Sequence, residues 1–270
     1  MSFEIGDPLS EGFDRLTERN GLMFVGLFVA LGVITSLLAA DFASAVIADL
    51  VESGDLDPAD IQSDTNPLLG DDPTEQIIGL PASVALFGMF LGVLAHASIS
   101  IAAARTFAGD ETEEIPREHF TRKLVWSLGN IVVGGFLFSI ALAIGFVLFV
   151  VPGLFLLVSL YFWVFPVVLD DESFIGGFAK SWTLTSGNRL PLFFLGVIVV
   201  VLSAVTNIVG SVISAPFPPL AEIAVSGVFS GAVFVFTVAA AARAYRQLER
   251  ERAIETGTAP GAETESDTMF

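Results

Sequence analysis

Six long apolar segments alternate with shorter polar stretches along this chain of 270 residues. An α-helix of about 20 apolar residues is long enough to cross a hydrocarbon core of about 30 Å. The pattern therefore predicts an all-α, polytopic membrane protein with six transmembrane helices in one membrane domain, residues 21–245. The predicted spans are residues 21–40, 77–104, 124–151, 153–169, 190–213 and 223–242.

The apolar run of residues 131–169 contains no charge and is open to two interpretations. As one helix it would measure about 58 Å, nearly twice the thickness of the hydrocarbon core. Pro152 and Gly153 lie near its middle, and proline is poorly tolerated inside a helix. A single span would also leave basic residues on both sides of the membrane. We therefore predict two antiparallel spans that meet at Pro152.

The basic residues determine the predicted orientation, because Lys and Arg are retained on the cytoplasmic flanks of membrane helices. With six spans, all 12 Lys and Arg residues fall on one side, whereas the outer loop of residues 51–76 is acidic. We expect a multi-pass protein of the cell membrane with both termini in the cytoplasm. Residues 1–20 are then a cytoplasmic amphipathic segment and residues 105–123 a charged inner loop. Residues 246–270 comprise the end of a basic helix and a disordered acidic tail.

Two segments have the spacing of amphipathic helices that lie on the inner membrane face. Near the N-terminus, Leu9, Phe13 and Leu16 share one helix face. After the fourth span, Phe178 and Trp182 share another, and Trp is enriched at the level of lipid headgroups. These segments predict two cytoplasmic interfacial helices.

Seven residues on the predicted inner side are candidates for contact with lipid headgroups, because basic side chains near a membrane attract anionic lipids. They are Arg15, Arg19, Arg122, Lys123, Lys180, Trp182 and Arg189. The alternative is that the basic residues only set the topology.

Composition narrows the expected partners. The 30 acidic residues outnumber the 12 basic ones, and the net charge is −18. An acidic, Lys-poor surface is typical of salt-loving organisms, because salt screens its self-repulsion. Nucleic acid does not suit such a surface, and membrane lipids and other membrane proteins are the expected partners. The chain has no Cys, which excludes disulfides, thiolate metal sites and Cys nucleophiles.

Polar residues inside the predicted spans are the candidate intramembrane sites, because unpaired polar groups are costly in hydrocarbon. His96 shares a helix face with Gly88 and Gly92, so we expect it in a helix–helix contact. A hydrogen bond from His96 to Asn130 would hold two helices together, and a ligand or proton site is the alternative.

Two further polar residues lie at a similar depth, near the outer ends of their predicted spans, so the sequence is consistent with a small polar site there. They are Asn207 in the fifth span and Glu222 at the mouth of the sixth. The simpler interpretation of Glu222 is an exposed acid near a helix N-terminus, where negative charge is favourable.

Motifs for catalysis or metal binding are missing from the sequence. It contains no H-E-x-x-H, G-x-S-x-G, P-loop or G-x-G-x-x-G motif. The acidic loop, including Asp55, Asp60 and Asp64, lacks the spacing of a calcium loop and is interrupted by prolines. We expect no enzyme activity, no cofactor and no metal.

Residues 150–193, VVPGLFLLVSLYFWVFPVVLDDESFIGGFAKSWTLTSGNRLPLF, combine a Pro-Gly, a Phe-Pro, acidic residues and an A-x-x-S-W-x-L-T-x-G segment. In this combination the chain resembles uncharacterised six-helix membrane proteins related to the membrane domain of glycerophosphoryl diester phosphodiesterases, in the version of halophilic archaea. The resemblance implies a six-helix membrane domain. It implies no activity, because the phosphodiesterase chemistry belongs to a separate soluble domain.

Short similarities among segments 12–24, 113–126 and 177–194 also allow three repeated units, each an inner amphipathic piece followed by a helical hairpin. Coincidence between interfacial segments is the alternative. For function, the sequence favours a non-enzymatic membrane module that organises or regulates partners or lipids. The alternative is a transporter for a small or lipidic solute, with His96, Asn130 and Asn207 along its path.

Overall fold

The computed structural model describes residues 3–57 and 72–257. Its elements are α1 (Gly6–Thr17), α2 (Arg19–Ser53), α3 (Ala82–Ala108), α4 (Arg117–Thr121), α5 (Leu124–Leu148), α6 (Val150–Ser159), α7 (Val164–Leu169), α8 (Phe174–Thr185), α9 (Arg189–Ser214) and α10 (Pro219–Glu255). No strand occurs in these residues. The centre of the predicted acidic loop, residues 58–71, and most of the predicted disordered tail, residues 258–270, lie outside the described ranges.

Six helical segments are long and apolar enough to cross a membrane: α2, α3, α5, α6 with α7, α9 and α10. The prediction of an all-α polytopic membrane protein is therefore confirmed. Helix α2 continues beyond residue 40 to Ser53, and α10 runs without a break from the apolar region into the basic segment that ends at Glu255.

The turn between the third and fourth spans lies at Phe149 and not at the predicted Pro152. Phe149 has an extended backbone, with φ −165° and ψ 156°, and separates α5 from α6. Pro152 instead lies in the first turn of α6, where the missing N–H has no helical partner to lose. Gly145 and Gly153 face each other across the hairpin, and an added Cβ on Gly145 would lie 3.0 Å from the Gly153 Cα. Two small residues thus let the helices approach.

The third helix begins at Ala82, five residues later than the predicted span. Residues 77–81 form a loop, and Pro81 precedes the helix directly. The predicted inner loop of residues 105–123 also begins too early, because Arg105 lies within α3, which ends at Ala108.

The described residues form two compact units. The first comprises the described residues within Met1–Leu22, Ser100–Leu202 and Phe234–Phe270, and the second comprises the described residues within Met23–Ile99 and Ser203–Val233. In the first unit, Tyr245 is fully buried and stacks on Phe165 with ring centroids 5.3 Å apart. In the second, Phe24 and Asp41 are fully buried.

Candidate functional site

The fourth span is discontinuous, because residues 160–163 form a turn between α6 and α7. Helix α8 packs against this turn and supplies hydrogen bonds to its backbone. The Ser181 hydroxyl donates to the Ser159 carbonyl (3.0 Å), and the Phe162 N–H donates to the Ser181 oxygen (3.2 Å). The Thr185 hydroxyl also donates to the Ser159 carbonyl, at 3.2 Å. Backbone groups that leave a helix at membrane depth require such partners.

A glycine allows the close approach of α8 to this span. A Cβ added to Gly177 would lie 2.5 Å from the Trp163 carbonyl oxygen, so a larger residue would force the backbones apart. Ser181 and Thr185 are fully buried on the same side of α8. The spacing of Gly177, Ser181 and Thr185, four residues apart, was available in the sequence, but nothing there indicated what this face contacts.

Three side chains form an aromatic and cationic cluster, which we call the Arg189 cluster: Phe155 of α6, Trp182 of α8 and Arg189 at the start of α9. The two aromatic side chains are exposed and Arg189 is half-buried. The Arg189 guanidinium carbon lies 4.6 Å from the Phe155 ring centroid and 5.0 Å from that of Trp182. The two rings meet edge to face at 5.5 Å. Cations over aromatic faces are attracted to the ring electrons, which fixes the guanidinium in place.

Most of the other predicted headgroup contacts have protein partners. Arg122 and Lys123 share the Asp171 carboxylate, at 3.2 and 3.4 Å. Lys180 pairs with Asp170 at 2.7 Å and with Glu249 at 2.6 Å. Arg15 is buried and donates to main-chain carbonyls.

Only two basic residues of the predicted set lack a carboxylate partner among the described residues. They are Arg19 and Arg189. Of these two, Arg189 is the one that stacks on aromatic rings.

Lys180 belongs to a polar network that includes a buried tyrosine. The Tyr245 hydroxyl lies 2.9 Å from a Glu249 oxygen and 3.2 Å from an Asp170 oxygen. Arg246 also pairs with Glu249, at 2.9 Å. Partial burial lowers the pKa of Lys180, but the hydrogen bonds to Asp170 and Glu249 outweigh it and hold this pKa above its ordinary value.

Three arginines donate hydrogen bonds to carbonyl groups at the C-terminal end of α3. Arg15 and Arg243 both donate to the Gly109 oxygen, at 2.8 and 2.9 Å. Arg246 donates to the Ala108 oxygen at 3.3 Å. The last carbonyls of a helix lack helical partners, and basic side chains are well suited to them. Helix α1 also packs tightly on α10, since a Cβ on Gly12 would lie 2.9 Å from the Ala240 Cβ.

Arg105 ties α3 to the next segments, a role that the sequence did not indicate. It is buried and donates to the Val168 carbonyl (2.8 Å), the His119 carbonyl (2.9 Å) and the Ser127 hydroxyl (3.3 Å). The His119 Nδ1 lies 2.9 Å from the Thr106 hydroxyl. Burial lowers the pKa of His119, and the neighbouring glutamates only partly oppose this.

The predicted pairing of His96 with Asn130 stays a prediction, because the two residues belong to separate units. The Asn130 oxygen accepts the Phe174 N–H at 2.9 Å, and its amide donates to the Trp126 carbonyl at 2.9 Å, both in the first unit. His96 belongs to the second unit, where its ring lies 5.0 Å from the Phe28 ring. On the same helix, a Cβ at Gly88 would lie 2.9 Å from a Leu38 methyl, so this face of α3 does contact α2.

Asn207 and Glu222 are placed with different partners. The Ser230 hydroxyl donates to the Asn207 oxygen at 2.8 Å, and the Asn207 amide donates to the Ser203 carbonyl at 2.8 Å. Glu222 lies in the first turn of α10, and its N–H donates to the Pro218 carbonyl. That position is the one expected for an acid at a helix N-terminus.

Asp41 forms the most extensive polar contact of the second unit, and sequence analysis missed it. Its carboxylate accepts the N–H groups of Ile77, Ile78 and Leu80 at 2.8–2.9 Å. Gln76 donates to the Asp41 carbonyl as well. These bonds fold residues 76–80 onto the end of the first span, which explains why α3 begins late. The one sequence feature that pointed to this contact was the position of Asp41, directly after the predicted first span.

Within the described ranges, no three His, Asp or Glu side chains lie close enough to hold a metal ion. The loop carboxylates Asp60 and Asp64 lie outside these ranges.

Comparison with known proteins gives one match. Residues 3–248 match a family described as Domain of unknown function (DUF7847). No curated protein and no solved structure matches the chain.

Proposed function

Since the chain belongs to this family of unknown function, we propose its role from its own residues: a non-enzymatic membrane module that binds anionic lipid headgroups at the Arg189 cluster. The proposal includes the predicted placement, with both termini in the cytoplasm and the protein in the cell membrane of a salt-loving organism. The resemblance to the membrane domain of glycerophosphoryl diester phosphodiesterases is part of the same proposal and adds no activity to it.

One observation carries the proposal: Arg189 stacks on two aromatic rings and has no carboxylate partner among the described residues. Arginine presents five N–H donors in a planar fork that matches the oxygens of a phosphate. A guanidinium that is oriented by rings and not by a carboxylate keeps its charge available for an anion from outside the protein.

The surroundings of Arg189 suit a headgroup better than a soluble anion. Trp182 and Ile175, one helical face of α8, are 42% and 66% exposed, so apolar side chains flank the cation. Trp prefers the interface between hydrocarbon and water, where the phosphates of lipids lie. A basic residue near an anionic membrane surface gains about 1 kcal/mol.

The paired basic residues have a different role under this proposal. Arg122 and Lys123 share the Asp171 carboxylate, and Lys180 pairs with Asp170 and Glu249, so these residues position loops and set the topology. Transport stays a prediction; the described bonds of Asn130 and Asn207 are to Phe174 and Ser230.

The experiment is native mass spectrometry of the detergent-extracted protein with added lipid. Phosphatidylglycerol supplies an anionic headgroup, and phosphatidylcholine of the same chain length is the control lipid. We expect bound phosphatidylglycerol to decrease by about tenfold in Arg189→Gln, a loss that corresponds to about 1.4 kcal/mol. Trp182→Leu, which keeps an apolar side chain but removes the indole ring, should give a smaller loss.

Arg117→Gln is the matched control. Arg117 lies on the short helix α4, has no carboxylate partner among the described residues and stacks on no ring there. The variant removes the same charge without the aromatic platform and should leave lipid binding unchanged. Equal losses of bound phosphatidylglycerol in R117Q and R189Q would show that the net charge alone causes the effect. This result would refute the Arg189 cluster as a binding site.

A further inference from the structure

Two polar side chains lie on the exposed surface of the apolar helices in the second unit. Asn207 and Ser230 are both exposed, and they are joined by the 2.8 Å hydrogen bond between them. At a rise of 1.5 Å per residue, Asn207 lies about 10 Å along the axis from Ser214, the last residue of α9. This depth places a carboxamide inside a hydrocarbon core of about 30 Å.

The described bonds use only half of this carboxamide. The side chain of Asn carries two N–H donors and an oxygen with two lone pairs. Asn207 donates once, to the Ser203 carbonyl, and accepts once, from Ser230. One N–H and one lone pair therefore remain, on an exposed surface where lipid tails provide neither a donor nor an acceptor. Such groups are costly in hydrocarbon unless another protein group satisfies them.

The residues around Asn207 form a narrow helix face of small and apolar side chains. Ala204, Asn207 and Ser211 are all exposed and follow one another at steps of three and four residues. This alternation is the spacing of a helix that packs lengthwise against another helix. Ala204 and Ser211 are small enough for a second backbone to come close on either side of the amide.

We propose that this face of α9 binds α9 of a second copy of the chain, in a dimer whose two-fold axis passes near Asn207. The remaining donor and acceptor are the self-complementary pair that such an axis requires. Each Asn207 donates to the oxygen of the other, so both leftover groups are satisfied at once. Two-fold symmetry is the commonest arrangement of homo-oligomers and places identical residues opposite each other at the axis. The dimer does not depend on lipid binding at Arg189.

The absence of Cys makes the proposal directly testable by cross-linking in the membrane. Ala204→Cys introduces a single thiol, three residues from Asn207 on the same face. Under mild oxidation, A204C should form a disulfide-linked dimer of twice the chain mass. Val133→Cys on α5 is the matched control, because Val133 is also exposed on an apolar helix but belongs to no predicted contact. It should give no dimer above the level of random collision.

Substitutions at Asn207 then test whether hydrogen bonds hold the two copies together or the two copies only lie close to each other. Adding Asn207→Leu to A204C removes both hydrogen bonds across the axis and should weaken dimerisation by about tenfold, the scale of two hydrogen bonds between membrane helices. Adding Asn207→Gln, which keeps both donor and acceptor, should restore most of it. Circular dichroism of each variant verifies that the helices are intact. Energy transfer between labelled copies, measured at decreasing protein-to-lipid ratio, gives the association constant independently.

Three results would overturn the proposal. Equal cross-linking of A204C and V133C would show collision only. An association constant unaffected by Asn207→Leu would show that the amide does not hold the dimer. A monomer in the energy-transfer experiment would show that the chain does not dimerise. A cross-linked product that contains a different protein would show that another occupant covers this face.

Discussion

The hydroxyl of Ser181 donates a 3.0 Å hydrogen bond to the carbonyl oxygen of Ser159, the last residue of α6. Because the Ser181 hydroxyl oxygen in turn accepts the N–H of Phe162, one side chain from α8 serves both ends of the turn that interrupts the fourth span. This pair makes α8 part of the membrane domain and not only a helix on its surface.

Ser181→Ala should therefore destabilise the protein. The substitution leaves the Phe162 N–H without its partner in a buried place, and an unsatisfied buried donor costs about 1–3 kcal/mol. Ser139→Ala is the control, because the exposed Ser139 hydroxyl donates only to a carbonyl of its own helix. Unfolding by detergent titration measures both. A Ser181→Ala protein as stable as Ser139→Ala would show that the turn does not depend on this hydroxyl.

Gly177→Ala should separate α8 from the discontinuous span. The new Cβ would lie 2.5 Å from the Trp163 carbonyl oxygen, and a main-chain atom can move only with its helix. We expect a loss of about 1–3 kcal/mol in the free energy of unfolding, as for other overpacked contacts. Gly196→Ala, on α9 with no neighbouring atom within 4 Å of the added Cβ, should be neutral or stabilising. Similar effects of both substitutions would contradict the close contact.

Asp41→Ala should release residues 76–80 from the end of the first span. Three backbone N–H groups lose their acceptor at once. Hydrogen exchange at Ile77, Ile78 and Leu80 should accelerate by about tenfold or more, because local opening then costs less. The exposed Asp49, on the same helix, provides the comparison variant Asp49→Ala. Unchanged exchange at these three amides would argue against the carboxylate as the anchor of the loop.

Acidification should weaken the protein through His119. Burial lowers its pKa in the folded state below the value of about 6.5 in an unfolded chain. The neutral form is thus favoured by folding, and its contribution is complete above pH 6.5. It is lost as pH falls from there through the pKa of the folded state. His119→Gln should flatten the dependence of unfolding free energy on pH between 7 and about 5.5. An unaltered slope in this variant would assign the dependence to other groups.

The arrangement of spans could be predicted from the sequence because apolar length and charge asymmetry are properties of whole segments. Six spans followed from these, including the division of residues 131–169. The exact turn did not, because Pro152 is compatible both with a break and with the first turn of a helix. The structure places the turn at Phe149, a residue without any turn preference, where Gly145 and Gly153 bring the helices together.

Individual polar contacts were less predictable, since they depend on which helices meet. Arg105 was expected in a loop, but a buried arginine is stable here because three separate segments provide acceptors for it. The sequence predicted Arg189 and Trp182 at the interface together with other basic residues. The reason to single out Arg189 is that Arg122, Lys123 and Lys180 pair with carboxylates from other segments.

The convergence of Arg15 and Arg243 on the carbonyl of Gly109 has a consequence for biosynthesis. A ribosome completes the N-terminus first, so α1 emerges long before α10 exists. The surface that receives α1 includes Ala240, which is among the last residues of the membrane domain to be translated. Helix α1 can therefore bond to the end of α3 early, through Arg15 and Gly109, but its docking is completed only after the final span has been inserted.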